Sequence, residues 1–194
     1  PGEPLPSKHQ LLIGFDDESC LAVSVRMYGG LGCFAGNDFG SMPAGYYEAA
    51  KNKPQVMSEA FTSAYFRGLI DDAEVQKKTA KAFLATEQRI PGLGNGVLQD
   101  ILYEAHIHPK KKIGSLTEKE KETLYGAIGR VLGEIYRAGG RNSETDLYGR
   151  PGKYVPFLSK DTAGQACGRC GEVIRKENYM GGSIYYCPGC QPPE

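Results

Sequence analysis

The chain has 194 residues, 40% of them hydrophobic and 24% charged, which is enough to bury a core and too apolar for general disorder. Basic and acidic side chains balance at 23 each, so no whole-chain field announces a polyanionic partner. No run of about 18 apolar residues occurs, and Pro1-Gly2-Glu3-Pro4 lacks the basic-then-apolar layout of a secretion signal; the expectation is a soluble, cytoplasmic protein with no membrane partner.

The elements begin with two apolar runs, residues 10–15 and 20–25, flanking Asp16-Asp17-Glu18-Ser19. A polar turn between apolar runs predicts a hairpin. Gly29, Gly30 and Gly32 predict a bend or bulge beyond it, and residues 36–57, without clear periodicity, read as connecting loop. Helical spacing starts near Ser58 with Phe61, Tyr65, Phe66 and Leu69, and a second helix from about Ala73 carries Val75, Ala82, Phe83 and Leu84. A third helix follows Gly94, with Val97, Leu98, Ile101, Leu102 and Ala105 on one stripe, and stops before Pro109. Thr117 and Glu120 have capping-box spacing and open a fourth helix that runs to Gly139-Gly140. Residues 141–160 read as loop. The last unit, residues 163–191, is built around paired cysteines.

Three local patterns carry chemistry. Cys167-x2-Cys170 and Cys187-x2-Cys190 are separated by sixteen residues. Two tight turns then present four thiolates, the closed tetrahedral set of one structural zinc, with strands between them as a β-ribbon. A redox motif expects a single CxxC beside a βαβ unit. Cys20 and Cys33 stand alone and read as buried small hydrophobes. The second pattern is Arg89-Ile90-Pro91-Gly92-Leu93-Gly94-Asn95-Gly96 between two helices, where Asn95 can cap a helix whose free amides suit a phosphate. A plain interhelical turn is the competing reading. The third is charge: between Val75 and Lys112 seven basic residues face three acidic ones, read either as a solvated helix surface or as a polyanion contact. His106 and His108, close to Pro109, read as a cap and a surface residue rather than metal ligands.

Taken together, the Gly-Leu-Gly-Asn turn, the Ile107-His108-Pro109 helix end and the spaced cysteines resemble the formamidopyrimidine-DNA glycosylase / endonuclease VIII family, over nearly the whole chain. The resemblance implies an α+β fold: residues 1–45 as a remnant of a β-sandwich, 46–150 as a helix–two-turn–helix DNA-binding domain, and 151–194 as a loop and zinc-finger ribbon. It also implies site residues. Asn95 and Lys81 would hold a phosphate beside the extruded nucleotide, while Arg26 and Tyr28 would enter the gap left by a flipped base, a gap that costs a few kcal/mol when empty.

The departures are specific. Ser24-Val25 stands where the family has Asp-Pro, Met27 where it has a second arginine, and Gly182 where the ribbon usually carries an arginine. Family members begin Pro-Glu-Leu-Pro-Glu, whose proline amine attacks the sugar; here Gly2 follows Pro1, and the chain runs directly into later sandwich sequence. The expectation is a fragment without its catalytic segment, Pro1 being only a weak candidate nucleophile, so that the chain as written is inactive. The function implied is base-excision repair: binding double-stranded DNA with a damaged base or abasic site, as a monomer, within a glycosylase and abasic-site lyase that removes oxidised bases. The alternatives are a non-catalytic damaged-DNA-binding protein of the same architecture and a zinc-ribbon interaction module.

Overall fold

The structure, a computed structural model, describes residues 4–25, 30–36, 38 and 44–193. They fall into two compact units, dividing after Tyr47. Pro1, Arg26 and Tyr28, three of the candidate site residues, lie outside the described residues.

In the first unit, β1 (Leu11–Gly14) pairs antiparallel with β2 (Cys20–Val23), in the register Leu11↔Val23 through Gly14↔Cys20. The turn is fixed by Asp17, whose carboxylate accepts the Ser19 amide at 3.0 Å. The expected hairpin is therefore present. Cys20 and Cys33, expected to be buried, are exposed. Cys20 opens β2 and Cys33 lies beyond the hairpin, and none of the described residues up to Tyr47 is buried, so neither cysteine joins a core.

The expected loop over 36–57 contains a helix, α1 (Ala44–Asn52). Its Ala, Glu and Lys content favours helix, but only weak amphipathicity signals it, and Pro54 keeps it from continuing. Thr62 caps α2 (Ser63–Ile70), its hydroxyl accepting the Tyr65 amide at 3.1 Å. Phe61, ahead of that cap, is buried and stacks on Tyr125. The single helix expected from Ala73 is two: α3 (Ala73–Gln76), capped by Asp72, and α4 (Ala80–Ala85), capped by Thr79. The break comes from a partner distant in sequence. Thr79 bridges to Lys112, and the amides of Ala80 and Lys81 donate to Lys111 O and Pro109 O at 2.8 and 3.0 Å. The loop of three lysines thus supplies acceptors to a helix start that an unbroken helix could not offer.

Next come α5 (Asn95–Glu104), a short 3-10 turn (Ile113–Ser115) and α6 (Glu118–Arg137). α6 opens with the full capping box, Thr117 accepting the Glu120 amide and Glu120 accepting the Thr117 amide. It ends where Gly139 and Gly140 take positive φ. Leu98, Ile101 and Leu102 from α5 meet Leu124, Ile128 and Val131 from α6 and Phe66, Phe83 and Leu84 in the main core. The ribbon, β3 (Arg175–Tyr179) paired antiparallel with β4 (Gly182–Tyr186), has a small core of its own: Tyr103, Leu158, Ile174 and three of the cysteines. Helices with small antiparallel sheets make this an α+β chain. Among the described residues no helix is long and apolar enough to cross a membrane.

Candidate functional site

α5 organises the site. Its apolar residues face the main core, while Asn95, Gln99 and Tyr103, spaced four apart, form one polar stripe along the helix. That stripe docks on the ribbon. Asn95 Nδ2 donates to Ser183 O at 3.1 Å, and Gln99 bridges Ser183 O (3.2 Å) and the Tyr185 amide (3.1 Å). Asn95 is therefore not the helix cap expected of it. Gly94 holds that position without a side-chain cap bond, so the Asn95 amide group is released toward the ribbon.

Lys81 on α4 reaches the same hairpin. It is 4% exposed, donates to Tyr179 O and has its Nζ 5.7 Å from the centre of the Tyr179 ring. Burial pushes its pKa below the ordinary lysine value. A Cβ placed on Gly182, at the hairpin tip, would lie 3.6 Å from both Lys81 Nζ and Asn95 Nδ2. Three distant segments thus bring an ammonium, an amide and a half-buried glycine backbone to one point, where Gly182 adds no side chain of its own.

The remaining cationic residues are largely engaged in structure. Lys77 pairs with Glu74 at 2.7 Å, Lys78 with Glu87 at 3.0 Å, Lys111 with Glu120 at 2.9 Å, and Lys110 with Glu177. Arg89 is buried against Glu87. His106 is the left-handed residue that ends α5, in keeping with a cap, and its Nδ1 lies 3.1 Å from Cys190 O. His108 is not at the surface. It is 5% exposed, packed edge-on against Tyr186 at 4.5 Å, and its Nδ1 accepts the Lys110 amide. The docked ribbon covers it, which no local pattern announces.

The four cysteines converge, with all four sulfurs within 4.8 Å of one another. Cys167 Sγ lies 3.8 Å from Cys190 Sγ and Cys170 Sγ 3.3 Å from Cys187 Sγ. Disulfide sulfurs stand at about 2.05 Å, whereas a tetrahedron with bonds of about 2.3 Å spaces its sulfurs about 3.8 Å apart. The spacing fits a metal. Burial raises the Cys190 thiol, helped by its neighbours, to about 12. At Cys167 burial also acts upward, but bonds from Tyr103 and the Arg169 amide outweigh it and hold that thiol at about 6.

Sequence reading missed Asp100. It is 3% exposed, and its carboxylate accepts from Tyr154 OH (2.9 Å), the Phe157 amide (3.0 Å) and the Leu158 amide (2.8 Å). Burial raises its pKa against those bonds. It ties the loop after α6 to α5, beside a cavity of about 260 Å³ lined by Asn95, Gln99, Arg141, Ser143 and Thr162. A polar residue amid the apolar stripe of α5 was the available signal.

Residues 53–146 match the family model described as the formamidopyrimidine-DNA glycosylase H2TH domain. Over 158 residues the chain is 31% identical to the formamidopyrimidine-DNA glycosylase of Carboxydothermus hydrogenoformans, covering 80% of this chain and 59% of that protein. Residues 53–146 are an H2TH domain of the formamidopyrimidine-DNA glycosylase family. A second family member, from Lactococcus lactis, is 28% identical over 97% of this chain and 67% of its own length. Among solved structures, MutM (Fpg) from Thermus thermophilus superposes with a TM-score of 0.64 at 30% identity, covering 71% of this chain and 53% of that one. The Lactococcus lactis enzyme in complex with abasic-site DNA gives 0.65 at 27% identity, covering 76% and 54%. The chain therefore spans between half and two thirds of the length of these relatives.

Proposed function

We propose that this chain grips double-stranded DNA at a damaged base or abasic site, as the DNA-holding portion of a base-excision glycosylase with abasic-site lyase activity toward oxidised bases. The observation that carries the reading is the convergence of Lys81 and Asn95 at Gly182 on the ribbon tip. Phosphate contacts from side chains and backbone amides fix a protein's register on the duplex. Here α4, the first residue of α5 and the ribbon each contribute to one cluster. Residues 46–150 act as the DNA-binding domain and 151–194 as the ribbon that completes it, in a monomer. One structural zinc on Cys167, Cys170, Cys187 and Cys190 supplies the fixed geometry of the two knuckles and takes no part in bond breaking. Arg26 and Tyr28 are proposed to fill the space of the flipped base. That the Lactococcus lactis relative was crystallised on abasic-site DNA supports the reading.

The test is fluorescence anisotropy on a duplex carrying an abasic-site analogue. Asn95→Ala is expected to lose about 1–3 kcal/mol of binding, the scale of a charge-assisted hydrogen bond. Affinity should also fall steeply with salt as phosphates shed counterions. Unchanged affinity in the variant would make the turn purely structural, and salt-independent or absent binding would favour an interaction module. Borohydride trapping on true abasic DNA separates the chemistry. An adduct supports the lyase, with Pro1 tested by blocking its amine; tight binding without an adduct favours a non-catalytic binder.

A further inference from the structure

The cysteine cluster is not enclosed by the ribbon alone. Tyr103, on α5, is 4% exposed, and its hydroxyl lies 3.1 Å from Cys167 Sγ. Arg169, between the first two cysteines, spreads its guanidinium 4.2 Å from the centre of the Tyr103 ring, donates to Tyr103 O at 3.2 Å and pairs with Glu104. Phe157 packs against the ring at 5.7 Å, and Cys190 O meets His106 just past the helix end. A phenol held this firmly by its neighbours has one polar atom to satisfy, and that atom faces a sulfur.

We propose that Tyr103 is an outer-sphere positioning residue of the metal centre, donating its hydroxyl hydrogen to the Cys167 sulfur so that metal affinity is set partly from the helical domain. A metal-bound thiolate has no proton, so in the loaded protein the hydroxyl must be the donor. The bond withdraws charge from one sulfur and fixes the direction of its lone pairs. Such partners typically change metal affinity by about 10–100-fold when removed. The same face of α5 carries Asn95 at its other end, so the residue that steadies the metal and the residue that faces the ribbon tip ride on one rigid element of about eight residues' rise, about 12 Å.

The inference rests on the reading of the four sulfurs as a metal centre, and the experiment separates the two. Zinc content of the purified full chain comes first; a stoichiometry near zero overturns the metal reading and this inference with it. Given a loaded protein, zinc affinity by competition with a chromophoric chelator and the sulfur-to-cobalt charge-transfer band of the cobalt form are compared between the native chain and Tyr103→Phe. The variant keeps the ring, the Arg169 stacking and the core contacts. It is expected to bind zinc at least about tenfold more weakly and to shift the charge-transfer band. Affinity and band both unchanged would overturn the proposal while leaving the metal centre intact. Arg169→Ala, at a partly exposed position, gives an independent reading if Tyr103→Phe does not fold. Releasing the ring on one side should weaken zinc in the same direction by a smaller factor, and no change there would also count against the clamp.

Discussion

At the scale of single residues, the site depends on polar side chains placed where the helix periodicity calls for apolar ones. Asp100 sits between Gln99 and Ile101 on α5 and accepts three hydrogen bonds from one loop. A carboxylate can accept from all three donors. An amide has only one acceptor oxygen, and its NH2 would confront a donor. Asp100→Asn is therefore expected to leave a buried N–H or O–H unpaired, at a cost of about 1–3 kcal/mol, and to loosen residues 154–158. Urea denaturation measures the first, and hydrogen exchange at the Phe157 and Leu158 amides the second. Equal stability and protection would show that the loop is held by something else. Gly152 illustrates the opposite constraint: a Cβ there would collide with the backbone of Gly140, so the return of this loop to the end of α6 requires glycine.

At the scale of elements, local signals and tertiary partners divide the work. α6 announces both of its ends, and its capping box forms as the spacing of Thr117 and Glu120 requires. Thr117→Ala should cost about 1 kcal/mol, seen as a lower urea midpoint with unchanged slope; no shift would mean that the Lys111–Glu120 pair and packing already fix the helix start. α3 and α4 behave otherwise. Their sequence reads as one helix, and the separation exists because the 109–112 segment offers carbonyls to the amides of Ala80 and Lys81. The ribbon likewise owes its placement to contacts it cannot make alone, including Gln191, fully buried between the Cys187 amide and Ile107 O.

At the scale of the second unit as a whole, two cores meet along α5, and they should come apart under different conditions. With the proposed metal on the four cysteines, a strong chelator is expected to abolish near-ultraviolet dichroism from the ribbon tyrosines while most helical signal survives. Loss of both signals together would join the cores into one cooperative block. Acid acts more broadly. Glu87, Glu118, Glu144 and Glu177 are held below the ordinary carboxylate value, chiefly by side-chain bonds from Arg89, Arg67, Arg141 and Lys110. Burial lowers His108 in the same sense. A depressed pKa means that the unfolded chain binds protons first, so this stability is complete above the unfolded value and is lost as pH falls. For His108 the loss starts near its ordinary value of 6.5, and for the glutamates near 4.5. Asp100, raised by burial, runs the other way and favours the folded chain at low pH. Melting temperatures taken from about pH 8 to about pH 4 should decline in two limbs. His108→Asn, which keeps an acceptor for the Lys110 amide, should remove the upper limb; if that limb persists, His108 is not its source.

The sequence by itself determined the features whose information is local. The paired cysteines, the glycines that end α6, the capping box, the first hairpin and the stripe of α5 all act within a turn or two of chain, through backbone geometry and periodicity. The resemblance to the glycosylase family was legible for the same reason, because its signature is a set of turns. Only the tertiary structure decided where side chains go once elements meet. Asn95 could cap its helix, yet it reaches Ser183 because the ribbon presents a carbonyl there. Lys81 lies nearly buried under Tyr179, and His108 under Tyr186, because a segment some seventy to a hundred residues later folds back over them. Cys20 and Cys33 are exposed although they read as small buried hydrophobes, because residue type alone does not say which segments gather into a core. Burial and long-range hydrogen bonding depend on what arrives from elsewhere in the chain, and no spacing of neighbours records that.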